Sequence, residues 1–208
     1  MSASRLYAAV AALVGWVSLA IQFVALHINA AARGVDVVTA TINYFSYFTI
    51  LSNILCAAVL TAVALDAKRG LGGFLVRPGA ATGVAMYMAV TGVIYFLILR
   101  HIWNPQGLDW VADKLLHTVM PLAYVLFWLL FVENGNLAAR HVGLSLVFPI
   151  AYAGYALVRG AAMGFYPYPF VNAAELGYPT VFVNLAGLVV GFVVLGSLVV
   201  GASRLARR

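Results

Sequence analysis

Charge is what this chain lacks: charged residues make up 9% of its 208 positions, and only six side chains are acidic. A water-soluble globule carries about a quarter of its residues as Asp, Glu, Lys or Arg, so that class is excluded. Cysteine is nearly absent too. Cys56 alone rules out an internal disulfide and any Cys-based metal site, and it leaves the redox compartment undetermined. No apolar run holds Asp, Glu, Lys or Arg at its centre, where an ion-coupled carrier places its relay. The basic, Gly-rich stretch Ala67-Lys-Arg-Gly-Leu-Gly-Gly73 has no Gly-Lys-Ser/Thr ending and so no phosphate-binding P-loop.

What is present is apolar. Hydrophobic residues account for 64% of the chain, and the mean hydropathy is +1.00. A helix needs about 20 apolar residues to cross the hydrocarbon core. Six runs meet that length, near 6–29, 43–65, 80–100, 114–132, 141–160 and 178–202. The first has an apolar core too long for a signal peptide and is expected to be retained. The expected fold is therefore all-α: a polytopic membrane protein with one integral domain over 1–208 and a six-helix bundle.

Orientation follows from Lys and Arg. Arg5, Lys68, Arg69, Arg77, Arg140, Arg204, Arg207 and Arg208 fall on one side, against Arg33, Arg100, Lys114 and Arg159 on the other. Eight against four puts both termini in the cytoplasm. The net charge of +6 is spread over short loops and the C-terminal end, which orients a protein in a membrane and does not suit nucleic acid. In the last run, Gly187, Gly191 and Gly196 suit close helix packing, within the chain or across a homodimer.

Polar residues gather on the outer side. Ser46, Thr49, Asn53 and Cys56 recur at steps of three or four, forming one polar stripe on the second helix. Asp113, His117, Pro121, Tyr124 and Trp128 share a face of the fourth. A histidine inside a membrane helix marks a functional site unless a neighbouring carbonyl satisfies it. Hydroxyl and amide side chains also serve as glue between helices, so each stripe taken alone has a structural reading. Pro121 removes a backbone donor and leaves the His117 carbonyl without its usual helical partner. Counted from the outer helix ends, Thr49 and His117 fall at comparable depth.

The segments Phe48-Thr-Ile-Leu-Ser-Asn53 and His117-Thr-Val-Met-Pro121 resemble those of the androgen-induced-protein family, six-helix membrane proteins that include the androgen-dependent regulator of tissue factor pathway inhibitor. Tyr166-Pro-Tyr-Pro-Phe170 looks more like a bacterial branch, which implies the bacterial inner membrane as location. The resemblance implies a threonine hydrolase of fatty acid esters of hydroxy fatty acids, without a cofactor or metal. It assigns Thr49 as nucleophile and His117 as base. Histidine suits removal of a hydroxyl proton near neutral pH.

Around that pair, Asp113 either orients the imidazole or caps its helix, and Ser46 and Asn53 are candidate oxyanion donors. Arg100 and Arg159 are placed to hold an acyl carboxylate or to snorkel to headgroups. Tyr124 and Tyr168 are candidate substrate contacts, the latter in an interfacial lid over 166–170. The partners expected are a lipid or fatty acyl ester and membrane lipid. Two rival classes remain open: a haem or metal redox protein using His27, His101 and His117, and a non-catalytic lipid-binding protein.

Overall fold

A computed structural model describes residues 1–132 and 137–205, with side chains as far as Gly201; among these the chain is helical and has no strand. Arg207, Arg208 and the side chain of Arg204, all counted in the charge asymmetry, lie outside the described residues. Five helices are long and apolar enough to cross a membrane, and a sixth crossing is made if one bent pair counts as a single span. The chain divides into two compact units, Met1–Asn134 and Gly135–Arg208.

The first unit opens with α1, Ala3–Ala32, whose start is capped by the Ser2 hydroxyl accepting the Arg5 N–H. It ends where Gly34 takes the left-handed backbone (φ 73°) that glycine adopts without steric cost. The bent pair follows: α2 (Val37–Tyr44) and α3 (Phe48–Ala64), set 69° apart across a three-residue break. A helix α4 (Gly70–Leu75) leads to α5 (Pro78–Ile102), and α6 (Gly107–Phe131) closes the unit. The helix bearing His117 thus starts at Gly107 and not near 114. The segment 107–113 is amphipathic, with Asp109 and Asp113 in it, so its low hydropathy hid the helix start.

The pair α2–α3 runs antiparallel to α1 along its whole length. Arg5 Nε donates to the Ala64 carbonyl, Trp16 Nε1 to Thr61 Oγ1, Tyr44 hydroxyl to the Leu19 carbonyl, and His27 meets Thr41. Small residues let the backbones approach: a Cβ at Gly15 would stand 3.3 Å from Ala57 Cβ and 2.9 Å from Met120 Cε. At Gly92, α5 comes equally close to Pro121 of α6. The core between these helices holds Leu60, Met86, Met88, Tyr124 and Phe127, all buried, while Leu13, Leu97, Leu122 and Leu129 are exposed. In water such exposure would be unfavourable; against acyl chains it is the expected outer surface.

The second unit holds α7 (Ala139–Ser145), α8 (Val147–Met163) and α9 (Ala173–Leu205). Helix α8 stops at Gly164 (φ 68°), and the chain then crosses Tyr166-Pro-Tyr-Pro-Phe170 with a single 3₁₀ turn at Pro169–Val171. The Tyr166 ring occupies the place a Cβ would take at Gly160, 2.0 Å from that point. Tyr168 and Phe170 stack in parallel, and Asn184 Nδ2 donates to the Phe170 carbonyl. Helix α9 is broken at Gly177 (φ 74°, ψ 151°), two residues before Pro179. Open space lies where Cβ atoms at Gly187 and Gly191 would stand.

Candidate functional site

The break between α2 and α3 decides where Thr49 points. Tyr47 is the N-cap of α3, so Thr49 lies in the first helical turn, where backbone N–H groups have no intrahelical acceptor. The Tyr47 side chain makes no capping hydrogen bond there. By contrast, Asp36 caps α2 by accepting from the Val38 and Thr39 N–H groups at 3.0 Å. Thr49 is 6% exposed, and its hydroxyl oxygen stands 3.2 Å from His117 Nε2. Sequence spacing had placed the two side chains at one depth; they also face each other.

His117 sits in a π turn, Leu115–Val119, within α6, closed by the Met120 N–H on the Leu115 carbonyl. A proline ring clashes with the carbonyl four residues back in a regular helix. The wider turn ahead of Pro121 relieves that clash and re-aims His117 by the extra residue, as π-bulges at functional sites do. A second π turn, Tyr95–Leu99, interrupts α5 and starts at the residue whose ring stacks on the imidazole, centroids 4.6 Å apart at 16°.

Nδ1 of His117 hydrogen-bonds the Asp113 carbonyl oxygen at 3.1 Å and lies 3.2 Å from Asp113 Oδ1. Both oxygens facing Nδ1 suit the tautomer with its proton there, in which Nε2 is the acceptor beside Thr49. Oδ1 is within ion-pair distance of Nδ1 yet has no aligned hydrogen bond among the described residues; the N–H is directed to the carbonyl. The other carboxylate oxygen, Oδ2, accepts from the Tyr95 hydroxyl at 2.5 Å, and Lys114 Nζ lies 3.4 Å from it. Lys114 also donates to the Tyr95 oxygen at 2.6 Å.

Asp113 lies in the second turn of its helix, 2% exposed, so it does not cap it; the acid of the first turn is Asp109, which accepts from Asn29 Nδ2. Asn53, expected as an oxyanion donor, gives its amide hydrogens to the carbonyls of Thr49 (2.8 Å) and Leu116 (3.2 Å). It straps α3 to the π turn of α6 and has no N–H left for a substrate. The Ser46 hydroxyl donates to the Ile42 carbonyl at 2.6 Å. Tyr124 is fully buried with its hydroxyl on the Ala81 carbonyl, a brace with no surface for a substrate.

Arg100 is exposed, stacked 3.5 Å over the Phe96 ring, with Nε donating to His101 Nε2. Arg159, over the Phe165 ring at 4.5 Å, and Tyr168 belong to the second unit. Three residues near the pair escaped the sequence reading: Tyr95, Ser52 and Thr91. Ser52 Oγ donates to the Phe48 carbonyl at 2.8 Å and lies 3.2 Å from both the Thr49 carbonyl and Thr91 Oγ1. Thr91 and Tyr95 stand four residues apart, a helical spacing that is the one sequence signal for them, and a tyrosine near a helix end reads equally as interfacial.

The unit contains a second threonine–histidine contact, useful as an internal control. His27 Nε2 is 3.0 Å from Thr41 Oγ1, and its Nδ1 is 2.8 Å from the Phe23 carbonyl. That pair has no carboxylate: His27 forms no ion pair among the described residues, and Thr41 lies beyond the first turn of a helix whose N-terminus is already capped. Contact between Thr and His is therefore not diagnostic by itself; the Asp113 network and the place of Thr49 in the first turn of α3 set Thr49 and His117 apart. No group of three His, Cys, Asp or Glu side chains among the described residues is arranged to hold a metal. No family model, curated protein or solved structure matches this chain.

Proposed function

We propose that the protein is an intramembrane hydrolase of lipid esters, with Thr49 as nucleophile and His117 as general base. The observation that carries this reading is the 3.2 Å contact from Thr49 Oγ1 to His117 Nε2, on an imidazole whose Nδ1 is held by Asp113. As Oγ1 adds to the ester carbonyl, its proton passes to Nε2. The tetrahedral oxyanion then collapses and expels the alcohol, which takes that proton. Water repeats the cycle: Nε2 removes its proton, the hydroxide attacks the acyl-threonine, and Oγ1 recovers a proton as the acid leaves. The positive N-terminal end of α3, in whose first turn Thr49 lies, favours negative charge at the carbonyl oxygen.

The resemblance to androgen-induced proteins supports a fatty acyl ester as substrate, and the apolar outer surface supports delivery from the bilayer. In this reading the bent pair α2–α3 is one crossing, giving six spans with both termini on the cytoplasmic side of a bacterial inner membrane. The test is cleavage of a panel of lipid esters, including esters of hydroxy fatty acids, by protein purified into nanodiscs. The wild type is expected to release fatty acid, with Thr49→Ala and His117→Ala at background. Equal rates in wild type and variants would remove the assignment.

A further inference from the structure

The shell behind His117 carries an inference that rests on the reading of Thr49 and His117 as nucleophile and base. We propose that Tyr95 and Lys114 are positioning residues: they keep Asp113 a carboxylate, so that His117 holds its proton on Nδ1 and presents a bare Nε2 to Thr49. Nδ1 faces the Asp113 carbonyl oxygen at 3.1 Å and Oδ1 at 3.2 Å. The carbonyl can only accept. Oδ1 donates to Nδ1 only if Asp113 is protonated, and that would drive the imidazole proton to Nε2, where it would point at Thr49 and end the base function. The protonation state of Asp113 therefore selects the tautomer.

That state is governed through the other oxygen. The Lys114 ammonium has hydrogens and no lone pair, so the Tyr95 oxygen accepts from it at 2.6 Å. The one Tyr95 hydrogen is then left to donate to Asp113 Oδ2 at 2.5 Å, and the ammonium itself stands 3.4 Å from Oδ2. The chain of donation runs one way, Lys114 to Tyr95 to Asp113. Asp113 and Tyr95 are buried while the Lys114 side chain is 43% exposed, so the counter-charge reaches in from the surface along one side chain. Tyr95 acts twice, since its ring also stacks on the imidazole and sets its plane. The His27–Thr41 contact shares the carbonyl on Nδ1 and an aromatic neighbour, Phe23, but among the described residues has no carboxylate paired with the imidazole.

The experiment is ¹⁵N NMR of histidine-labelled protein in nanodiscs, with the His117 signal assigned by its loss in His117→Gln. Tyr95→Phe keeps the stacked ring and removes the hydroxyl; Lys114→Gln removes the charge at a half-exposed position, so neither is expected to prevent folding. Wild type should show His117 with the proton on Nδ1. In each variant, and most in the double variant, the Nε2-protonated form should grow, and kcat for ester cleavage should fall about 10-fold or more at nearly constant KM. Lys114→Arg, which keeps the charge, should restore the wild-type spectrum. A His117 tautomer unmoved in the double variant overturns the proposal, whatever its activity. If the tautomer moves while even the wild type cleaves no ester, the positioning role stands and the hydrolase reading falls.

Discussion

At the scale of single residues, the site is a matter of which hydrogens remain to be given. Thr49→Ser keeps the nucleophilic oxygen and removes a methyl, so cleavage should persist at a reduced rate. His117→Gln keeps a polar side chain without a base and should lower kcat by about 10²-fold or more, read from steady-state kinetics on the same ester. Asn53 has a different role. Asn53→Ala leaves the buried Leu116 carbonyl short of a donor and unties α3 from the π turn, at a cost of about 1–3 kcal/mol. Detergent melting of Asn53→Ala against wild type measures that cost; an unchanged midpoint would show the strap to be idle.

Thr49, His117 and Asp113 were legible in the sequence because polar side chains on an apolar helix stand out at steps of three and four. Tyr95 was not, because a tyrosine near a helix end reads as part of an interfacial belt. Asp113 was open to a capping role for a related reason: a hydropathy run starts where polar residues stop, and Asp109 and Asp113 pushed the apparent start of α6 seven residues too late. The nature of Asn53 as a strap depends on the Leu116 carbonyl of another helix, which no spacing within α3 reveals.

At the scale of elements, irregularities place the chemistry. The α2–α3 break puts Thr49 in a first turn, and the π turns of α5 and α6 bring Tyr95 and His117 face to face. Pro121 announced a disturbance in α6; it takes the form of a π turn, and Pro121 comes close to Gly92 of α5 just beyond it. The short α2 needs its own cap, and Asp36 supplies it. Hydrogen bonds from the Thr39 hydroxyl first, then from the backbone N–H groups of Thr39 and Val38, hold the Asp36 carboxyl below its ordinary value of 3.8. A depressed folded value means that the cap stabilises α2 above pH 3.8 and is lost as pH falls through the lower folded value. Amide exchange at Val38 and Thr39 should accelerate on that acid limb in the wild type. In Asp36→Asn, which cannot titrate, protection should show no such limb; a limb of the same size would refute the cap.

At the scale of the whole molecule, the scarcity of charge and the exposed leucines describe a protein whose solvent is lipid. The basic residues of the first unit separate by loop: Lys68, Arg69 and Arg77 flank α4, whereas the α5–α6 connection carries tryptophan and asparagine at Trp103 and Asn104. The antiparallel match of α1 to α2–α3, with Arg5 beside Ala64 and Asp66, is what one full crossing by the bent pair requires. Cys56 is buried, so introduced cysteines can be read against a quiet background. With six crossings, an impermeant maleimide added to intact cells should label Asn104→Cys and spare Arg69→Cys. With Arg33→Cys labelled from outside, labelling of Arg69→Cys and protection of Asn104→Cys would make α2–α3 a re-entrant hairpin and shift every later span.

The most direct measurement of the central claim is the site of covalent capture. Protein in nanodiscs is treated with a fluorophosphonate probe, digested, and the adduct located by tandem mass spectrometry in wild type, Tyr95→Phe and His117→Gln. The account predicts a single adduct on Thr49, slower to form in Tyr95→Phe and absent in His117→Gln, with Thr41 unmodified beside His27. An adduct on Thr41 or Ser52, or one on Thr49 that forms equally fast without His117, would contradict it.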